Sequence, residues 1–263
     1  MSKFFAMRVL GTSVLPFRAY GRSAWLAAAA LTASHPAAAA PADDPLPTER
    51  HGVLAVEAEA YDRQTLTDVR AWYRIDADTD PTSLPRPDGD PPHLDDASGG
   101  AYLEILPDTR RTHDDQLIGG ENITNTPGKL AVLEYDVVFT TPGRYYVWAR
   151  VYSSGSEDNG MHVGLDDDWP DSGQRMQWCK DKHTWRWEAR QRVPKNHCGF
   201  PNTIYLNVAT AGPHTVKFSM REDGIEFDKW LMVQDRLPPL HGQSPEADLP
   251  EPLPEPPAGA PPP

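Results

Sequence analysis

Short runs in which apolar and polar residues alternate recur through the middle of the chain, separated by Gly, Pro, Asn and Asp. The clearest β-rich runs are 53–60, 69–75, 101–106, 130–139, 144–153, 161–165, 175–179, 203–208, 214–220 and 225–233. In the fifth of these, Tyr145, Val147, Ala149 and Val151 alternate with Tyr146, Trp148, Arg150 and Tyr152, which is the two-residue period of a strand. Thr215 to Met220 alternates in the same way, and Thr-Pro-Gly at 141–143 and Ala-Gly-Pro at 211–213 mark turns. Helical periodicity is almost absent. Many short strands without intervening helices predict an all-β antiparallel β-sandwich. Trp148 and Trp230 fall on strands and are expected in its core.

The opening run, 53–62, places Leu54, Val56, Ala58 and Ala60 on one face of a strand and Glu57 and Glu59 on the other. Two carboxylates at that spacing stand roughly 7 Å apart. On spacing alone they read as solvated surface acids. A third carboxylate brought alongside, such as Asp228 of the last strand, would complete an all-oxygen nest suited to calcium.

The two ends of the chain read differently. Residues 1–40 carry Lys3, Arg8, Arg18 and Arg22 and no acid, then an apolar stretch from Trp25 to Ala33, then Ala37 to Ala40. A basic region, a short apolar region and small residues predict a secretory signal peptide, hence a secreted or periplasmic protein. The apolar stretch is too short to span a bilayer. Residues 41–50 predict a disordered Pro-rich leader, and 237–263 a disordered Pro-rich acidic tail, because neither carries enough apolar surface to offset its ordering entropy. That leaves 51–236 as one domain.

Charge narrows the partners. The formal net charge is −13, and loss of 1–40 would make it more negative still. Such a surface does not suit nucleic acid or anionic membranes and would favour divalent cations. The two cysteines, Cys179 and Cys198, most simply form one disulfide in a secreted chain, closing a loop worth on the order of 3 kcal/mol. The rival reading, a metal pair, lacks a second Cys pair or a close His partner.

The order of these pieces resembles a known family. A Val-Glu-Ala-Glu strand is followed by Gly99-Gly-Ala-Tyr-Leu-Glu104, then Pro142-Gly-Arg-Tyr-Tyr-Val-Trp-Ala-Arg150 and Met161-His-Val-Gly-Leu-Asp166. A Trp-rich loop follows, and Ala211-Gly-Pro-His-Thr-Val-Lys-Phe218 with Gly224-Ile-Glu-Phe-Asp-Lys229 closes the set. Over about 53–234 the chain resembles the carbohydrate-binding modules of families 6 and 35. The resemblance implies a galactose-binding-domain-like jelly-roll sandwich. It also implies a structural calcium held by acids of the opening strand and an aspartate of the last, here Glu57, Glu59 and Asp228.

A sugar presents weakly apolar faces rimmed by hydroxyls, so a receptor needs exposed aromatic rings and directed polar groups. Segment 157–199 holds Trp169, Trp178, Trp185 and Trp187, half of the eight tryptophans, with Asn159, His162 and Arg175. The disulfide lies there too and would stiffen a Trp-bearing loop, lowering the entropy cost of binding. The resemblance implies a polar residue before the last strand. That family commonly has Asn there, whereas this chain has Arg221, Glu222 and Asp223. Arg221 has two readings, a fork for a uronate or sulfate or an ion pair with Glu222.

Other catalytic signatures are absent from the sequence. There is no Gly-x-Ser-x-Gly elbow, His-Glu-x-x-His or phosphate-binding glycine loop. Glycoside cleavage needs only two suitably spaced carboxylates, and the chain has 38 acids, so residue type does not exclude it. The expectation is a secreted, non-catalytic module that binds a polysaccharide with a structural calcium and works beside polysaccharide-degrading enzymes. The alternatives are a small glycoside hydrolase or lyase, and a surface adhesion protein.

Overall fold

The computed structural model describes residues 45–254. The signal-peptide reading of 1–40 lies outside them, as do 41–44 and 255–263. Fourteen strands form two antiparallel sheets, and the helical segments among the described residues are three-residue 3-10 turns. No helix there is long and apolar enough to cross a membrane. The chain is an all-β sandwich, as its alternation predicts.

One sheet is built on two central strands, β6 (Gly143–Tyr152) and β14 (Glu226–Val233). The outer edge of β6 carries β12 (Tyr205–Val208) and β9 (Arg186–Glu188). The outer edge of β14 carries β1 (Val53–Glu57) and β4 (Ala101–Leu106), and β3 (Ala71–Asp76) flanks β4. The facing sheet runs from β11 (Asn196–Phe200) through β10 (Gln191–Val193), β8 (Met176–Gln177), β7 (Gly160–Leu165), β13 (Gly212–Met220) and β5 (Val132–Phe139) to β2 (Arg63–Thr65).

The alternation on β6 comes out as read. Tyr145, Val147, Ala149 and Val151 point between the sheets, where they meet Leu54, Val56, Leu133, Tyr135, Val163, Phe218 and Trp230. The opposite face of the same sheet is also buried, unlike the exposed outer face of a simple sandwich. Trp148 and Leu231 there pack with Trp187, Leu237 and Leu240. Tyr102 and Tyr152 pack with Ile75, Ala97 and Trp185.

Parts of both flanking segments among the described residues contact the sandwich. In the leader, Glu49 N–H donates to Val138 O at 2.8 Å and Val138 N–H to Pro47 O at 2.9 Å, and the buried Glu49 carboxylate takes backbone bonds from Thr140 and Thr141. In the tail, the Asn202 amide brackets Leu237 with two bonds and Leu253 N–H returns to Arg236 O. The composition is poor in apolar residues, but Leu237 and Leu240 fall where they cover Trp148 and Trp187. Few anchors suffice when the surface beneath is already apolar.

The strand list is corrected. The run 53–60 ends as a strand at Glu57, and Ala58–Ala60 turns as 3-10, so Glu59 is not on the Glu57 face of a strand. The hairpin of β10 and β11 carries mixed residues with no alternation, so the sequence left it unseen. Its turn is at 194–195, and at Gly199 inside β11, φ +64, any Cβ would stand 2.1 Å from Gln191 O across the pair. The disulfide is formed: Cys179 and Cys198 have Cα atoms 5.5 Å apart and tie β11 to the chain just after β8.

If the tail is part of the fold, Leu240→Ala should lower stability by about 2–4 kcal/mol, as for a core leucine. Chemical denaturation checks this; a change under about 0.5 kcal/mol, typical of surface positions, would place the tail off the sandwich.

Candidate binding face and metal ligands

Most side chains picked from segment 157–199 prove to be structural. Trp178 is 1% exposed in the inter-sheet core, with Nε1 donating to Arg186 O. Trp187 lies under the C-terminal segment and donates to Gly242 O at 2.8 Å. Trp169 lies half-buried against Gly128 and Gly164, with Lys217 Nζ 5.3 Å from its ring. His162 is fully buried. Its Nδ1 accepts from Arg175 N–H and its Nε2 donates to Thr124 O, which fixes the neutral tautomer, and burial pushes its pKa down to about 4. Asn159 is buried and donates to Ser156 O and Glu222. Arg221 and Glu222 form a buried ion pair, so the second reading of Arg221 holds. These polar groups were drawn to the core by each other, which single-residue reasoning does not register.

Trp185 is only 9% exposed and packs edge-on against Tyr102, but it borders two cavities on the outer face, one of which Trp187 also lines. The other, of about 340 Å³, is lined by His93, Tyr152, His183 and Trp185. The His93 ring stacks on Tyr152 at 3.8 Å and 18°, Trp185 meets Tyr152 edge-on at 5.6 Å, and Trp185 Nε1 donates to His93 O. A tyrosine, a tryptophan and two histidines from separate strands and loops thus wall one opening.

Behind His93 lies an acidic cluster that the sequence reading missed. Glu104 of β4 and Glu226 of β14 are directly opposite in the ladder, and both are buried. Opposed like charges destabilise a sheet, and burial raises the cost. Asp88 and Asp90 approach from the preceding loop. Asp90, His93 and Glu226 bring ligand atoms within 4.8 Å of one another, as do Asp88, Asp90 and Glu104. His93 Nδ1 is 2.6 Å from Glu226 Oε1, while Glu226 Oε2 has no partner. Burial, reinforced by the neighbouring acids, pushes Glu104 and Glu226 well above the usual carboxylate range. Asp108, beside Asp223, is pushed up to about 8 for the same reasons. The available signal was a lone acid inside an apolar strand, in Tyr-Leu-Glu-Ile-Leu and Ile-Glu-Phe-Asp.

The expected calcium ligands Glu57, Glu59 and Asp228 are not among the groups whose ligand atoms lie within 4.8 Å of one another, although the Glu57 and Asp228 charges both act on Glu59. Asp228 occupies a β-bulge where β14 changes partner from β4 to β1. It accepts from Ser98 N–H at 2.7 Å and from Arg150 at 2.7 Å. Glu57 accepts from Ser98 Oγ and pairs with Lys229 at 2.9 Å. Glu59 is pushed up to about 7, chiefly by burial and then by the Glu57 and Asp228 charges. Glu57 Oε2 and Glu59 Oε2 are buried without partners. The trio is looser than the rim cluster and already shares Arg150 and Lys229.

The geometry therefore defines a two-sheet domain with an aromatic opening and acid-rich interior positions on one sheet's outer face. The chain belongs to the family of glycosyl hydrolase family 115 C-terminal domains, whose pattern matches residues 93–244, more than half of its length. It is 54% identical over 185 residues to "Uncharacterized protein P23" of Formosa agariphila, covering 70% of this chain and 44% of that one, so it spans less than half of the relative's length. Distant likenesses among solved structures include a family 35 carbohydrate-binding module from Clostridium thermocellum, with 16% identity, TM-score 0.38 and coverage of 68% of this chain and 97% of that one. Another is the C-terminal family 6 module of LamC, a marine laminarinase from Zobellia galactanivorans, with 12% identity, TM-score 0.34 and coverage of 69% and 98%.

A carboxyl group whose pKa is higher in the fold than unfolded holds its proton more tightly when folded. Its stabilising share is complete below the unfolded value and is lost as pH rises through the folded one. With divalent ions chelated, the melting temperature should fall between about pH 5 and pH 8, as Glu59 and then Asp108 ionise. A drop of at least about 2–4 °C, equivalent to about 1 kcal/mol here, is the expected reading by calorimetry. A flat or rising profile would show these acids already charged and compensated.

Proposed function

We propose that this domain binds a polysaccharide without cleaving it, as the carbohydrate-recognition part of a secreted glycan-degrading system. Membership of a family of glycosyl hydrolase C-terminal domains supports a role beside such enzymes. The opening walled by His93, Tyr152, His183 and Trp185 carries the reading, because it offers ring faces of the kind that sugars stack on. The carboxylates in the lining of that opening are Asp95 and Asp96, and the buried pair Glu104 and Glu226 is not part of it.

We further propose a structural calcium between the first and last strands. The unpartnered oxygens of Glu57 and Glu59 beside Asp228 fit a hard cation, which would offset the repulsion that raises Glu59. Its role is to hold the start of β1 and the bulge of β14 in register, adding stability in proportion to occupancy.

A glycan array should show retention of at least one polysaccharide with no new reducing ends or unsaturated uronates. Trp185→Ala should weaken that binding at least tenfold, whereas Trp178→Ala should chiefly destabilise the fold, by about 3–5 kcal/mol. Release of reducing ends would sink the non-catalytic reading; glycan silence with capture of a protein partner would favour an adhesion role. Chelation should lower the melting temperature of the wild type but not of Glu59→Gln. An effect that persists in Glu59→Gln and vanishes in Glu226→Gln would move the ion to the rim cluster.

A further inference from the structure

Ten of the fifteen arginines among the described residues pair with a carboxylate. Among the described residues, those with no carboxylate within 4.0 Å are Arg50, Arg144, Arg175, Arg192 and Arg236. The last four line one cavity of about 610 Å³, between the β10–β11 hairpin and the edge formed by β6 and β12. Asp171 is the one acid in its lining. Gathering unpaired guanidinium groups costs repulsion, and the surplus acids of a chain with net charge −13 could have neutralised them. That four remain together marks a place where the missing counter-charge comes from outside.

The cavity is also shaped for a ring. Tyr146, Tyr205 and Phe200 contribute aromatic surface, and Arg144 lies over the Tyr205 ring at 4.0 Å, a contact that orients its fork. Arg175 stands in the left-handed region at φ 56, unusual for a side chain of its size, and its N–H is held by the buried His162. His162 is thus a positioning residue for Arg175 and not a contact itself. Opposite, the disulfide fastens β11, so the hairpin carrying Arg192 and Phe200 is anchored before any ligand arrives. The volume lies within the ~300–1,000 Å³ range of sites for small ligands.

We propose that this cavity binds the anionic substituents, sulfate ester or uronate carboxylate, of an acidic polysaccharide. Guanidinium forks meet either anion with paired hydrogen bonds, and the tyrosine and phenylalanine faces take the sugar ring that carries it. This rests on the glycan-binding reading and deepens it, through a site separate from the Trp185 opening. Because the whole protein is negatively charged, long-range attraction to a polyanion is absent, and binding must come from this local cluster.

The test uses the full chain in affinity electrophoresis against dextran sulfate, polygalacturonate and neutral dextran. Retention by one or both acidic polymers is expected, weakening as salt is raised, with none by dextran; the polymer retained tells sulfate from carboxylate. Arg175→Gln/Arg192→Gln should lose at least tenfold in affinity, and so should Arg144→Gln, an exposed position that leaves folding intact if the double variant unfolds. Arg50→Gln, which removes the same charge outside the cavity, should bind as the wild type does. Unchanged binding in the cavity variants, with loss in Trp185→Ala, would overturn this site but keep the glycan-binding reading. Silence towards all glycans would remove both. Equal loss in Arg50→Gln would reduce the effect to net charge, and retention of a single-stranded oligonucleotide in place of the polysaccharides would assign the cavity to phosphate; either overturns the proposal.

Discussion

The sheet around β6 and β14 is buried on both faces, and that constraint governs how its charges are arranged. A carboxylate on such a sheet cannot turn to water. It must find an internal cation, take a proton, or recruit an ion. Asp228 takes the first course with Arg150, at 2.7 Å. Glu104 and Glu226, facing each other across the ladder, have no arginine between them and lean towards the second. Glu57 and Glu59 stand between, with one lysine and two orphaned oxygens.

What covers the outer face also decides what a ligand can reach. The C-terminal segment seals Trp148 and Trp187 behind Leu237 and Leu240. The loop ahead of β4 sets His93 on Tyr152, leaving Trp185 between two openings. Of four tryptophans gathered in one stretch of sequence, Trp185 and Trp187 border one of these cavities and Trp185 alone the other. Composition therefore overstated the aromatic platform, and packing cut it down.

The sandwich was legible because β6, β13 and β14 alternate cleanly and turns punctuate them; so were the disulfide and the meeting of the first and last strands. The hairpin of β10 and β11 was not, because its residues carry no period and its close pairing depends on Gly199 inside β11. Nor were the two aromatic-lined cavities. Tyr152, His93 and Glu226 are far apart in sequence, and so are Arg144, Arg175 and Arg236. Each is an ordinary polar or aromatic residue until register brings it to its neighbours. Arg221 and His162 misled for the opposite reason: a charged residue in a loop-like stretch reads as exposed, yet each found a buried partner.

The pairing of the first strand with the last has a mechanical side. Val53 lies opposite Val233 and Glu57 opposite Lys229, so the ends through which the chain enters and leaves lie at the same end of the ladder. Tension along a polymer to which the chain is anchored would first peel residues 47–49 from Val138 and then break the rungs in succession, as in unzipping, instead of straining them together in shear. The rung nearest Asp228 would be the last to open.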